Sequence, residues 1–192
     1  MSDTDIPAIY LAGPEVFLDE GARTDIITAK QSILRRLGMV GLDPMDNELS
    51  LADDTPPAEK AQAIYRANRD LMDRCDGALV NLTPFRGPSA DAGTVFEAGY
   101  LAARGTPMIG YTLSAEDYQQ RVPQPDHSGV DDQGRAIEQF GLMDNLMIEA
   151  GICGTGGRVF RGTQTGFSFS ELFDAVLFEA SARALWSLLQ TA

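Results

Sequence analysis

The chain has 192 residues, 44% hydrophobic and 22% charged, enough for one globular domain with a real core and unlike a disordered polymer. A formal net charge of −13 with a pI near 4.3 gives a surface that repels phosphate backbones, which argues against polymeric DNA or RNA as a partner. Two distant cysteines, Cys75 and Cys153, and a single histidine, His127 in a polar stretch, argue against a disulfide scaffold and a histidine metal site.

The start, "MSDTDIPAIYLAGPEVF", lacks a basic segment followed by a long apolar run. No apolar run approaches the roughly 20 residues that span a bilayer, so a cytoplasmic protein without membrane contact is expected. "AIYLAG" (8–13) is short, apolar and followed by Gly-Pro, the pattern of a buried strand with a turn after it. Residues 20–37 put Ile26, Ile27, Ile33, Leu34 and Leu37 on one helical face, with Gly38 as the stop. "MVGLDP" (39–44) reads as a second strand.

The strand–helix alternation then repeats. "TPPAEKAQAIYRANRDLMDRC" opens on prolines suited to a first helical turn and continues with Ile64, Ala67 and Leu71. "GALVNLT" (77–83) is a third strand, and a Pro/Gly loop (84–90) leads into a helix that Gly105 closes. "PMIGYT" (107–112) is the fourth strand. Residues 113–142 are polar and irregular, a length that marks a functional or mobile loop. "MDNLMIEAG" reads as a short helix and "GRVF" (157–160) as a fifth, edge strand. A final amphipathic helix runs from about Ser170, with Ser168 and Glu171 as its capping box. The whole chain, 1–192, is expected to be one α/β domain, a doubly wound parallel sheet with helices on both faces.

Ligands of such sheets bind outside the carboxyl ends of the strands. "LAGPEVF", following Tyr10, and "LTPFRGPSAD" leave two of those ends. Asp91 stands where a helix N-cap belongs, so cap and ligand contact are equally good readings. Glu97, between Phe96 and Ala98 on a helix apolar on nearly every side, favours function, because a buried carboxylate is costly unless paired or used. Asp70 sits late in the preceding helix, where topology alone does not assign it a place. Two carboxylates at one edge suit glycosidic chemistry, one as nucleophile or base and the other as proton donor. "LAGPEVF" has too few glycines for a dinucleotide fingerprint and no Walker lysine is present, so no cofactor is expected. Asp53-Asp54 and Asp131-Asp132 read as solvated loop acids, and no metal is expected.

At these residues the chain resembles the nucleoside 2-deoxyribosyltransferase family. The resemblance lies in "IYLAGPEVF", "NRDLMDRCDGALVNLTPFRG", "DAGTVFEAGYLAARGTPMIGY" and, more weakly, "DNLMI", in order between residues 9 and 148. It implies a flavodoxin-like five-stranded parallel sheet and transfer of 2-deoxyribose between nucleobases, in nucleotide salvage. Glu97 is then the nucleophile, forming a covalent deoxyribosyl ester, and Tyr10 orients it. Asp70 and Asp91 hold the substrate, and one of them protonates the leaving base with a raised pKa while Glu97 stays ionised. The resemblance places Gly13, Phe17, Glu48, Arg86, Asn145 and Met147 at the substrate, with Asn145 and Met147 reaching a neighbouring subunit's site. For Met147, core packing is an equally good reading. Glu48 stands where some members carry glutamine against the base. Arg86 either positions a loop or meets a 5′-phosphate. The implied partners are a small-molecule nucleoside and a free nucleobase, within a dimer-based homo-oligomer, as large as a hexamer. Two other readings stand beside transfer: an N-glycosidase of nucleosides or nucleoside 5′-monophosphates on the same fold, and a non-catalytic nucleotide-binding domain.

Overall fold

A computed structural model describes residues 6–47, 51–126, 129–165 and 172–191. The five expected strands form: β1 (Ala8–Ala12), β2 (Val40–Leu42), β3 (Gly77–Asn81), β4 (Met108–Ser114) and β5 (Val159–Gln164). They make one sheet in the order β2-β1-β3-β4-β5, every pair parallel, with β5 at the edge as expected. Parallel neighbours need crossovers, and these are helical: α1 (Glu20–Arg36), α2 (Pro57–Arg74), α3 (Ala92–Arg104), and the short α4 (Tyr118–Arg121) with α5 (Leu146–Gly154); α6 (Ala175–Leu189) follows the last strand.

Alternation along each strand divides the core in two. Tyr10, Ala12, Ala78, Val80 and Met108 pack under Leu71 and Met72 of α2, Ala98 and Leu101 of α3 and Ile152 of α5. Ile9, Leu11, Leu79, Ile109 and Tyr111 pack under Ile33 and Leu34 of α1 and Phe178, Ala182 and Leu185 of α6. Residues one apart on β1 thus serve opposite layers, as strands buried on both faces must. The order reverses between β1 and β3, so the carboxyl ends of those two strands flank the crevice where such sheets take ligands.

Two expectations need amendment. Ile64, placed on the buried side of α2, is 50% exposed, because Leu71 and Met72 set the buried stripe. The last helix begins at Ala175, after Asp174, whose side chain accepts from the amides of Val176 and Leu177 and so starts the helix there. The Ser168–Glu171 capping box lies outside the described residues, as do Glu48 and His127. Among the described residues, no helix is long and apolar enough to cross a membrane.

Candidate active site

The first strand delivers Tyr10 to the α3 layer, and its hydroxyl donates to Glu97 Oε1 at 2.7 Å. Glu97 lies in the second turn of α3, whose start is fixed by Asp91: the Asp91 carboxylate accepts from the Thr94 amide at 3.0 Å and its hydroxyl at 3.2 Å. The helix ends at Gly105, in the left-handed region at φ 72°. Cap and stop together hold Glu97 over Tyr10.

Burial pushes the Glu97 carboxyl up to about 7; the Tyr10 hydrogen bond opposes this, while the negative charges of Asp91 and Asp43 add to it. The sequence reading gave the raised pKa to a proton donor and kept Glu97 ionised; in the structure Glu97 itself is raised. The physical reason is that, among the described residues, no cation pairs with it, and the Tyr10 hydroxyl is what offsets its desolvation. The Tyr10 phenol is also pushed up, first by burial and then by Glu97, so it remains a donor.

Asp43 is a member of this group that sequence reasoning missed. It follows β2 directly, is buried, and caps the 3-10 turn Pro44–Asp46 by accepting from the Met45 amide at 2.9 Å. Burial pushes it up to about 6. Its position after a strand in "GLDP", at the ligand edge, was the available signal.

Behind this layer, across the sheet, lies a second missed cluster. Lys30 Nζ meets Glu15 Oε1 at 2.5 Å, with both side chains buried. Asn81 Nδ2 donates to the same oxygen at 2.7 Å and to the Leu172 carbonyl at 3.1 Å. Lys30 sits three to four residues from Ile26, Ile27, Ile33 and Leu34, so a cation on the apolar stripe of α1 was the sign of a buried partner. Gly13 serves this cluster: a Cβ there would lie 2.0 Å from Glu15 Oε2 and 3.0 Å from Asn81 Cβ.

The remaining candidate residues occupy separate places. Phe17, closing the turn Pro14–Phe17, stacks on Phe85 at 5.1 Å between centroids and 16° between planes. The Arg86 guanidinium lies 4.8 Å from each of those rings, on a backbone at φ 55°, strained for a non-glycine residue. Asp70 points outward, its side chain 63% exposed and held by Arg69 Nη2 at 3.3 Å, because its neighbours Leu71 and Met72 take the buried side of α2. Among the described residues no hydrogen bond joins Asp70 to Tyr10, Asp91 or Glu97. Instead it lines a groove with Asn47, Ala67, Asp73 and Arg74. Asn145 caps α5, its Oδ1 accepting from the Met147 amide at 3.0 Å while Nδ2 donates to Glu138 Oε1 at 2.7 Å. Met147 is 73% exposed, on an apolar groove between α3 and α5 with Val95, Ala98 and Ile148, so the core-packing reading of Met147 fails within this chain. Tyr10, Asp91, Glu97 and Asp43 come together; Phe17, Phe85 and Arg86 form a neighbouring group at the same sheet edge. Among the described residues, no cluster of three or more His, Cys, Asp or Glu side chains is arranged to hold a metal ion.

The family profile described as nucleoside 2-deoxyribosyltransferase matches residues 9–147. The chain is similar to an uncharacterised protein of Schizosaccharomyces pombe, at 31% identity over 93% of this chain and 90% of the other. Among solved structures it is similar to a 2-deoxyribosyltransferase from Leishmania mexicana, at 30% identity and a TM-score of 0.61, covering 74% of this chain and 85% of that one. A conserved protein from Enterococcus faecalis V583 shares the fold at 17% identity and a TM-score of 0.56, over 93% of this chain and 98% of that one.

Proposed function

Because the chain belongs to the nucleoside 2-deoxyribosyltransferase family, we propose that it moves 2-deoxyribose between nucleobases with Glu97 as nucleophile. The observation that carries this reading is the Tyr10–Glu97 hydrogen bond of 2.7 Å, made to a carboxylate that no cation among the described residues neutralises. Ionised Glu97 attacks the anomeric carbon as the bond from that carbon to the base nitrogen breaks. The electron pair leaves with the base, which takes up a proton. Charge flows from the carboxylate into the sugar, so an electron-rich glutamate without a counter-cation is the better donor. Tyr10 fixes which oxygen of Glu97 stays free: Oε1 receives the hydroxyl, leaving Oε2 to attack. The ester is released to a second base, and water in that place gives hydrolysis instead.

Asp91 contacts the substrate while capping α3, and Asp70 serves as a contact from the rim of the groove beside Asn47. Phe17 and Phe85 offer a flat apolar surface for a nucleobase, with Arg86 laid over their rings. Glu48 is assigned to the base as well, from the family resemblance alone. Phe96 of α3 and Met147 of α5, 55% and 73% exposed, support a homo-oligomer in which these two helices meet a second copy. Asn145 then faces the neighbour's sugar with the amide hydrogen that Glu138 leaves over. The protein is read as one domain, acting in the cytoplasm on nucleosides in salvage.

The test is product analysis by chromatography. Deoxyinosine or thymidine is incubated with and without adenine or cytosine. A new deoxynucleoside is expected. Free base with free deoxyribose, whether or not an acceptor is present, would replace transfer by hydrolysis. Binding without either product would overturn the enzymatic reading for these substrates.

A further inference from the structure

Two connections leave the ligand edge of the sheet, from β3 to α3 and from β4 to α5, and one buried ion pair fastens three stretches of them together. Asp144 has a fully buried carboxylate that accepts from Ser89 Oγ at 2.5 Å, from the Ala90 amide at 2.8 Å and from the Asn145 amide at 2.8 Å. Arg121, equally buried, stands with Nη2 4.0 Å from Asp144 Oδ2. Its Nε donates to the Pro88 carbonyl at 2.9 Å and its Nη1 to the Glu116 carbonyl at 3.1 Å, and its Nη2 donates to the Met143 carbonyl.

The pair thus grips residues 88–90 just before the Asp91 cap, residue 116 after β4, and residues 143–145 just before α5. Buried charges cost free energy unless every donor and acceptor is used. Here a charge pair is spent on joining loop backbones, not on filling a core. From this geometry we infer that Asp144 is a positioning residue: through Ser89 and Ala90 it sets where α3 begins, and so where Glu97 stands over Tyr10, and through Asn145 it ties that placement to the start of α5. The inference rests on the proposed role of Glu97 for its effect on catalysis. Its structural half, that two helix starts are held by one carboxylate, stands without it. A displacement of about 1 Å at a reacting group is worth about a hundredfold in rate, so the consequence is measurable.

The experiment compares the full chain with Asp144→Asn and Ser89→Ala, the second removing a single hydroxyl and serving if the first fails to fold. Amide hydrogen exchange is read at residues 90–95 and 145–148, alongside kcat and KM for deoxyribosyl transfer. Asp144→Asn is expected to speed exchange about tenfold or more at both helix starts together, leave α1 and α6 protected, and lower kcat by about tenfold to a hundredfold with KM within about threefold. Ser89→Ala is expected to move the same quantities the same way, by less. Exchange that rises evenly over the whole chain, or at neither helix start, overturns the inference; so does a kcat within twofold of wild type in a variant that has lost protection. If the wild type itself transfers no deoxyribose, the functional reading fails, and the exchange at the two helix starts alone decides the role of Asp144.

Discussion

Two glutamates leave water at the same edge of the sheet and meet opposite treatment. Glu15, on the α1 and α6 side, is met by the Lys30 ammonium and the Asn81 amide. Glu97, on the α2 and α3 side, is met by one hydroxyl and sits among other acids, which together with burial push it up to about 7. Burial alone would lower the Lys30 ammonium, but the Glu15 charge and its other neighbours outweigh this and push it up, so the ammonium stays charged. A paired carboxylate has its charge neutralised and holds a loop in place. An unpaired one retains a free oxygen and a ready proton equilibrium, which covalent chemistry requires.

The widest separation between the two is expected from removing each. Glu97→Ala is expected to lower kcat/KM for deoxyribosyl transfer by about a thousandfold or more while the circular dichroism spectrum is kept. The contrasting change is Lys30→Met, which strands the Glu15 charge and is expected to cost about 3–5 kcal/mol of stability, read from the urea midpoint. Adding Glu15→Gln to Lys30→Met removes the stranded charge and is expected to restore more than half of that loss. If Lys30→Met is neutral, the pair does not hold the fold.

Glu97 behaves oppositely in stability too. Its folded pKa of about 7 lies above the unfolded 4.5, so folding favours the protonated form. Stability is therefore full below about pH 4.5 and falls as pH rises through 7. Glu97→Gln is expected to be more stable than wild type by about 2 kcal/mol at pH 8, after discounting for partial exposure, with the gap closing below pH 4. Thermal melts at the two pH values check the sign.

Smaller changes sharpen how the unpaired site is tuned. The Tyr10 hydrogen bond lowers the Glu97 pKa, so Tyr10→Phe is expected to move the acid limb of the pH–rate profile up by about one unit. Asp43 raises it, so Asp43→Asn, which keeps the cap on Met45, is expected to move the limb down by less than that. A limb that stays put in both variants would detach it from Glu97.

The fold was legible because the first four strands are apolar runs bounded by Gly or Pro and the long helices show a 3.6-residue stripe; those four strands lie within two residues of their expected bounds, while β5 runs four residues past its expected end into the polar stretch to Gln164. Glu97 was legible as a carboxylate on an oily helix, and the Asp91 cap as an Asp before a helix start. The Lys30–Glu15 pair and the Asp144 hub were not, since their partners lie 15 and up to 55 residues apart and only the folded chain joins them. Asp70 shows the opposite limit. Its motif suggested a place in the site, whereas its orientation depends on which neighbours α2 buries.

The most direct test of the central claim is to trap the ester. The protein is mixed with a deoxynucleoside, quenched in acid, digested and analysed by mass spectrometry. The account predicts one deoxyribosyl residue on the peptide carrying Glu97, absent from Glu97→Ala. Turnover with an unmodified Glu97 peptide, or an adduct on another side chain, would contradict it.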